Sequence, residues 1–200
     1  MVSEARIVAG PGITVIISGG RTETLEGKLR SALASGASGI VSFGICGGLD
    51  PSLTAGALIV DSNDPEWRDR LSQALPEVHV GKVIGCGTMV GSVGEKSALW
   101  RESMASAVDM ETQIVAQVAG ELGLEFAVIR AVSDPANRAL PRAAMAGLRA
   151  DGRPDIGAVL RALARRPWEL PALLRTAAEA GRAIRALNIA RERLGPGLGF

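Results

Sequence analysis

The stretch SAVDMETQIVAQVAGELGLEFAVIRAVSD, residues 106–134, decides the fold. Ser106 to Met110 reads as a short apolar strand and Glu111 to Leu122 as a helix. Phe126 to Val132 is a second and more apolar strand, which stops at Ser133, Asp134 and Pro135. A continuous apolar run bounded by turn residues suits a strand buried on both faces, the situation of strands in α/β sheets. The same alternation continues upstream. Ile13 to Ile17 reads as a strand running into Ser18, Gly19, Gly20 and Arg21, and Thr22 to Ala34 as a helix. Gly39 to Phe43 is then a strand ending in a loop with Gly44, Gly47 and Gly48, so that strand, helix and strand predict a parallel crossover. Ala57 to Asp61 and Val78 to Ile84 are further strands, with a helix near Arg68 to Leu75 between them, and GCGTMVGSVGEK is a glycine-rich loop leading into a short helix. The expected architecture is a three-layer α/β/α fold around a mixed, largely parallel sheet.

Downstream of Pro141 a polar link runs to Pro154, and two helices follow, Ile156 to Arg165 and Trp168 to about Arg193. In the second, Leu170, Leu173, Leu174, Ala177, Gly181, Ile184 and Leu187 recur at helical spacing, which predicts packing on the sheet. The 200 residues are therefore expected to form one domain, with 154–200 as a helical extension packed on it. Residues 153–200 carry nine basic and four acidic side chains, whereas 1–152 carry 13 and 17. The tail is basic and the body acidic.

Composition removes several classes of function. Aromatic residues make up 3% of the chain and Tyr is absent, which leaves no stacking platform for nucleic acid. Cys46 and Cys86 stand forty positions apart with no His nearby, so neither a metal site nor a redox pair is indicated, and free thiols are expected. No run approaches the ~20 apolar residues of a membrane span, and MVSEARIV lacks the pattern of a signal peptide. A cytoplasmic protein is the expectation. GICGG has neither the spacing of a dinucleotide fingerprint nor a following helix, because Pro51 stands there. His79, the one imidazole, lies inside a predicted strand without a neighbouring acidic motif and reads as structural.

What remains is a set of residues at strand ends, where α/β sheets bind ligands. Asp109, Met110 and Glu111 place two carboxylates around a thioether, a pattern that suits sugar hydroxyls over an apolar ring face. The alternative is that the carboxylates cap the following helix. Asp134, before Pro135, is either a proton donor with a pKa raised by burial or an Asp-Pro turn residue. Arg21, after two glycines, is either an anion holder or a solvated surface residue.

In order and spacing, FGICGGLDPSLTAGALIV, GTMVGSVGEK, AVDMETQIVA and VIRAVSDPAN resemble the purine nucleoside phosphorylase and methylthioadenosine/S-adenosylhomocysteine nucleosidase family. The continuation SDPANRALPRAAMAGLRADGRPDIGAVLRALARRPWELPALL is similar to the hopanoid-associated phosphorylases within it. The resemblance implies cleavage of the N-glycosidic bond of a purine nucleoside, with Asp134 protonating the departing base at N7. It further implies that Glu111 binds the ribose hydroxyls, that Met110 packs under the sugar with Asp109 just before it, and that Thr88, Met89 and Val90 touch the base. Cys46 and Gly47 are expected to line the substrate, Gly20 and Arg21 to hold phosphate, and Glu4 to serve as an acid or base on the nucleophile's side.

For this subgroup the implied substrate is 5′-deoxyadenosylhopane, losing adenine during hopanoid side-chain maturation. A methylthioadenosine or S-adenosylhomocysteine nucleosidase, and a non-catalytic purine-binding subunit, are the alternatives. No metal, flavin or nicotinamide is implied, with phosphate a co-substrate only if it replaces water as nucleophile; a homo-oligomer is implied. Arg161, Arg165, Arg166 and Arg175 read first as a solvated basic face and second as a peripheral contact with anionic lipid at the inner membrane. Two departures from the family stand out. Ile45 occupies a position where many members have a small hydroxyl residue, and MVSEARI starts beyond the point where the family's first strand would lie, so that either the start is late or the sheet lacks an edge element.

Overall fold

The computed structural model describes residues 2–18, 22–147 and 155–199. In chain order its elements are helices α1 (Val2–Val8) and α2 (Thr22–Ala34), strands β1 (Gly39–Gly48) and β2 (Leu58–Ser62), helix α3 (Pro65–Ala74) and strands β3 (His79–Val80) and β4 (Val83–Gly85). Helix α4 (Val93–Ser103), strand β5 (Ala107–Asp109), helix α5 (Thr112–Leu122) and strand β6 (Glu125–Asp134) follow. Helices α6 (Arg142–Ala146) and α7 (Ile156–Arg165), a 3₁₀ turn (Pro167–Glu169) and helix α8 (Leu170–Leu194) complete the chain.

The six strands form one mixed sheet in the order β3-β2-β6-β1-β5-β4. At its centre β1 and β6 run parallel, from Gly39 opposite Glu125 to Cys46 opposite Val132. β2 is antiparallel to β6 and β5 to β1, while β3 and β4 pair in parallel with β2 and β5. The apolar run of β6 is buried throughout, as a central strand covered on both faces must be. On one face α8 sets Ala183 and Leu187 against Ala131, and its Ala190 and Leu194 meet Trp67 and Leu71 of α3. On the other face, Leu25 and Leu29 of α2 join Val115, Val118 and Ala119 of α5 over Ile40. These are the three expected layers.

Four sequence expectations are corrected. Ile13 to Ile17 is not a strand, and the crossover through α2 does not form. Ile13 packs on the core of Trp67 and Ile16 on that of Leu25, but the segment pairs with none of the six strands, so it buries apolar side chains without a ladder. The glycine loop after Phe43 is instead the second half of β1, because a glycine whose backbone is paired on both sides stays extended. Val78 to Ile84 is two short strands, since β3 pairs with β2 and β4 with β5, on opposite edges of the sheet. Of the polar link expected from Pro141 to Pro154, Arg142–Ala146 is instead helix α6, and 148–154 lie outside the described residues.

Candidate active site

A one-residue irregularity builds the first half of the site. Between Cys46 and Gly47 the β1/β6 register shifts, so that Gly47 pairs with Asp134 and Ser133 is the extra residue. A bulge re-aims the side chains beyond it, and here it turns the Asp134 carboxylate over Gly47. A Cβ on Gly47 would stand 3.2 Å from Asp134 Oδ2 and 3.4 Å from Val108. Asp134 Oδ2 accepts a hydrogen bond from Lys96 Nζ at 2.6 Å, and Ser133 Oγ lies 2.6 Å from Oδ1. Ser133 Oγ is also 3.1 Å from the Cys46 carbonyl oxygen. A hydroxyl has one hydrogen to give; when that hydrogen goes to the Cys46 carbonyl, Oδ1 is free to hold its own proton against Ser133 Oγ. Burial raises the Asp134 carboxyl above the usual carboxylate range, although Lys96 and Ser133 pull the other way.

Lys96 is wholly buried in the first turn of α4. Besides Asp134 Oδ2 it donates to the carbonyls of Asp134, Pro135 and Arg138, at 2.8, 3.1 and 3.1 Å. The helix start that places it is fixed by a reciprocal Ser92–Glu95 capping box. One ammonium thus holds both the candidate acid and the loop that follows it.

The second half grows from the start of α5. Asp109 caps that helix, accepting hydrogen bonds at Oδ1 from the N–H groups of Glu111 and Thr112 and at Oδ2 from Thr112 Oγ1. The capping reading of Asp109 therefore holds, and the residue does more: its Oδ2 also pairs with Arg130 Nη2 at 2.6 Å. The same Nη2 donates to Ser42 Oγ at 2.7 Å and stands 3.4 Å from Glu111 Oε2. Burial alone would lower the Arg130 pKa, but Asp109 and Glu111 outweigh it and keep the guanidinium charged. Glu111 accepts from Ser18 Oγ at 2.8 Å and is about a quarter exposed, so it keeps acceptor capacity towards the cavity.

Both halves, together with Glu4, line one cavity of about 680 Å³. Small-molecule sites occupy roughly 300–1,000 Å³. Cys46, Gly47, Thr88, Met89, Val90, Asp109, Met110, Glu111 and Asp134 all contribute to its wall. Glu4, buried on α1, accepts from the Ile45 N–H at 2.9 Å. A Cβ on Gly44 would lie 2.6 Å from Arg130 Nη1 and 2.7 Å from Glu4 Oε1, so Gly44 is what lets both charged groups close on the strand. The Ile45 side chain packs on the Ala131, Ala183 and Leu187 core. Cys46 is buried and its thiol pKa is strongly raised by that burial, which leaves it unreactive. His79 Nε2 meets Ser106 Oγ at 2.8 Å, a structural contact between loop and strand. Gly20 and Arg21 lie outside the described residues.

Lys96 and Arg130 were not distinguishable by sequence reasoning. Lys96 sits in a polar helix start and Arg130 in mid-strand, and only a three-dimensional neighbourhood shows the carboxylates that justify burying them. The one local signal was Arg130 itself, a cation inside the most apolar strand of the chain.

The chain matches the model of the Phosphorylase superfamily over residues 61–165, and it belongs to that family. No curated protein matches it. Among solved structures it is similar to native futalosine hydrolase of Helicobacter pylori, with 18% identity and a TM-score of 0.53 over 86% of this chain and 76% of that one. It is also similar to S-adenosylhomocysteine nucleosidase of Streptococcus pyogenes, with 18% identity and a TM-score of 0.53 over 79% and 75%. A third is the 5′-methylthioadenosine/S-adenosylhomocysteine nucleosidase of S. pneumoniae, with 16% identity and a TM-score of 0.53 over 86% and 77%. The chain spans about three quarters of these proteins and 65% of a futalosine hydrolase mutant from H. pylori. At such identities the likeness is one of fold.

Proposed function

We propose that this chain breaks the N-glycosidic bond of an adenine nucleoside bearing an apolar 5′ group, with 5′-deoxyadenosylhopane as substrate and adenine as the released base. The observation that carries the reading is one cavity lined both by Asp134, whose carboxyl pKa burial raises, and by Glu111, ion-paired to Arg130. When the C1′–N9 bond breaks, its electron pair passes into the purine ring and Asp134 gives its proton to N7, which makes the base a better leaving group. Positive charge grows on the sugar at the same time. Glu111 accepts from the sugar hydroxyls and lies where that charge is favoured, while Arg130 and Ser18 hold its carboxylate in place. Water or phosphate then bonds to C1′; where it is water, the Glu4 carboxylate takes the proton.

The apolar 5′ group is supported by what adjoins Glu111. Ser18 bonds that carboxylate, and the residues before it, Val15 to Ile17, continue the cavity wall with Leu25, Leu29 and Leu33. Among the described residues these side chains form an apolar stretch of wall, which suits a hydrocarbon. The test is adenine release from 5′-deoxyadenosylhopane and from methylthioadenosine, each with and without phosphate. Phosphate-dependent release from the hopanoid means a phosphorylase and phosphate-independent release a hydrolase. Release from methylthioadenosine alone transfers the reading to a soluble nucleosidase, and adenine binding without release to a non-catalytic subunit.

A further inference from the structure

One surface lies outside the site and presents apolar side chains to solvent. In α7, Ile156, Val159, Leu160 and Leu163 recur at helical spacing, with Val159 and Leu163 half-buried and α7 packed on α6. Ile156 and Leu160, one turn apart, are left 68% and 61% exposed. The adjoining 3₁₀ turn, on which α7 and α8 both pack, adds Trp168 at 70%, and the first turns of α8 add Leu170 and Leu174 at 45% and 62%. Apolar exposure of this kind on three successive elements marks an interaction surface.

The charge around it selects the partner. Arg161, Arg165 and Arg175 are exposed, and Arg166 stands beside them. The two acidic residues of 155–175 are engaged within the protein: Asp155 caps α7, and Glu169 accepts from the Ala143 N–H and pairs with Arg166 at 3.5 Å. A hydrocarbon stripe with a Trp at its edge and arginines along its flank is the composition of a helix lying in a bilayer interface. Pairing this face with a second copy would instead bring a second set of these arginines into one interface.

We propose that α7, the 3₁₀ turn and the start of α8 dock this protein on an anionic lipid surface, Ile156, Leu160, Trp168, Leu170 and Leu174 entering the acyl boundary and Arg161, Arg165 and Arg175 meeting the headgroups. The docking face adjoins the cavity, since Ala144 and Met145 of α6 and Thr176 and Ala180 of α8 line it. No described helix is long and apolar enough to cross a membrane, so the attachment is peripheral.

The test is flotation of the full chain with vesicles of phosphatidylethanolamine and phosphatidylglycerol in equal parts, against vesicles of phosphatidylcholine, with brominated lipid as fluorescence quencher. Trp67 is fully buried and Trp100 half-buried, so quenching reports on Trp168. The expected result is co-flotation with the anionic vesicles alone, lost at high salt, with Trp168 quenched. Each of Arg161→Gln, Arg165→Gln and Arg175→Gln should weaken binding about fivefold, and Leu160→Ser with Trp168→Ser should abolish it. All five positions are exposed, so folding is preserved. Absence of flotation overturns the proposal, as does a dimer in solution that Trp168→Ser converts to monomer. Flotation without adenine release from any substrate leaves the docking standing and removes the proposed function; release without flotation does the reverse.

Discussion

At the scale of single residues, the site sets a carboxyl whose pKa burial raises beside a buried ammonium. Because the folded-state pKa of Asp134 lies above its unfolded value, its proton is present at low pH and is lost as pH rises through the raised folded value. Turnover should therefore fall on the alkaline side along one limb, displaced upward from the ordinary carboxylate range. Asp134→Asn should remove that limb and lower kcat by about 100- to 10,000-fold, the usual worth of a general acid, with substrate binding retained. A pH profile of adenine release checks both. Lys96→Met removes the donor to Asp134 Oδ2 and to three loop carbonyls, and should cost at least about 1–3 kcal/mol of stability, the penalty for a buried acceptor left unsatisfied. Combined with Asp134→Asn it should cost less than the sum of the two, because both single variants disturb the same Lys96–Asp134 hydrogen bond; chemical denaturation of the four variants measures this coupling. Of these residues the sequence shows Asp134 and Glu111, since carboxylates at strand ends are legible from types and order; Glu4, on helix α1, comes in only through the family resemblance. Lys96 is not legible, because nothing local distinguishes a buried lysine from a solvated one.

At the scale of elements, the site depends on where strands end and helices begin. The bulge at Ser133 aims Asp134, and the capping box of α4 aims Lys96. Ser92→Ala removes the cap and should cost about 1 kcal/mol, a fall in Tm of about 2–4 °C for a chain of this size, read by thermal unfolding. If α4 also positions Asp134, turnover should fall further than that loss of stability explains. The strand–helix–strand core of 106–134 was legible because its periodicity and its burial agree. Ile13 to Ile17 has the apolar run of a strand without being one: a ladder needs a paired neighbour, which composition does not reveal. The glycines of β1 hid a strand as a loop, their freedom being the local signal and their pairing a tertiary one.

At the scale of the whole molecule, a mixed sheet of six strands gathers at one cavity residues from α1, β1, the β4–α4 loop, β5 and β6. Four ordered motifs made the family readable; the bulge, the Arg130 cluster and the docking face are consequences of packing. The account's central claim is that this cavity breaks a glycosidic bond with Asp134 as proton donor. The measurement that tests it most directly is single-turnover formation of adenine from 5′-deoxyadenosylhopane by the wild-type protein and by Asp134→Asn at equal substrate occupancy. The account predicts stoichiometric adenine from the wild type and a rate at least about 100-fold lower from the variant. Equal rates from the two proteins, or no adenine from the wild type while the nucleoside stays bound, would contradict it.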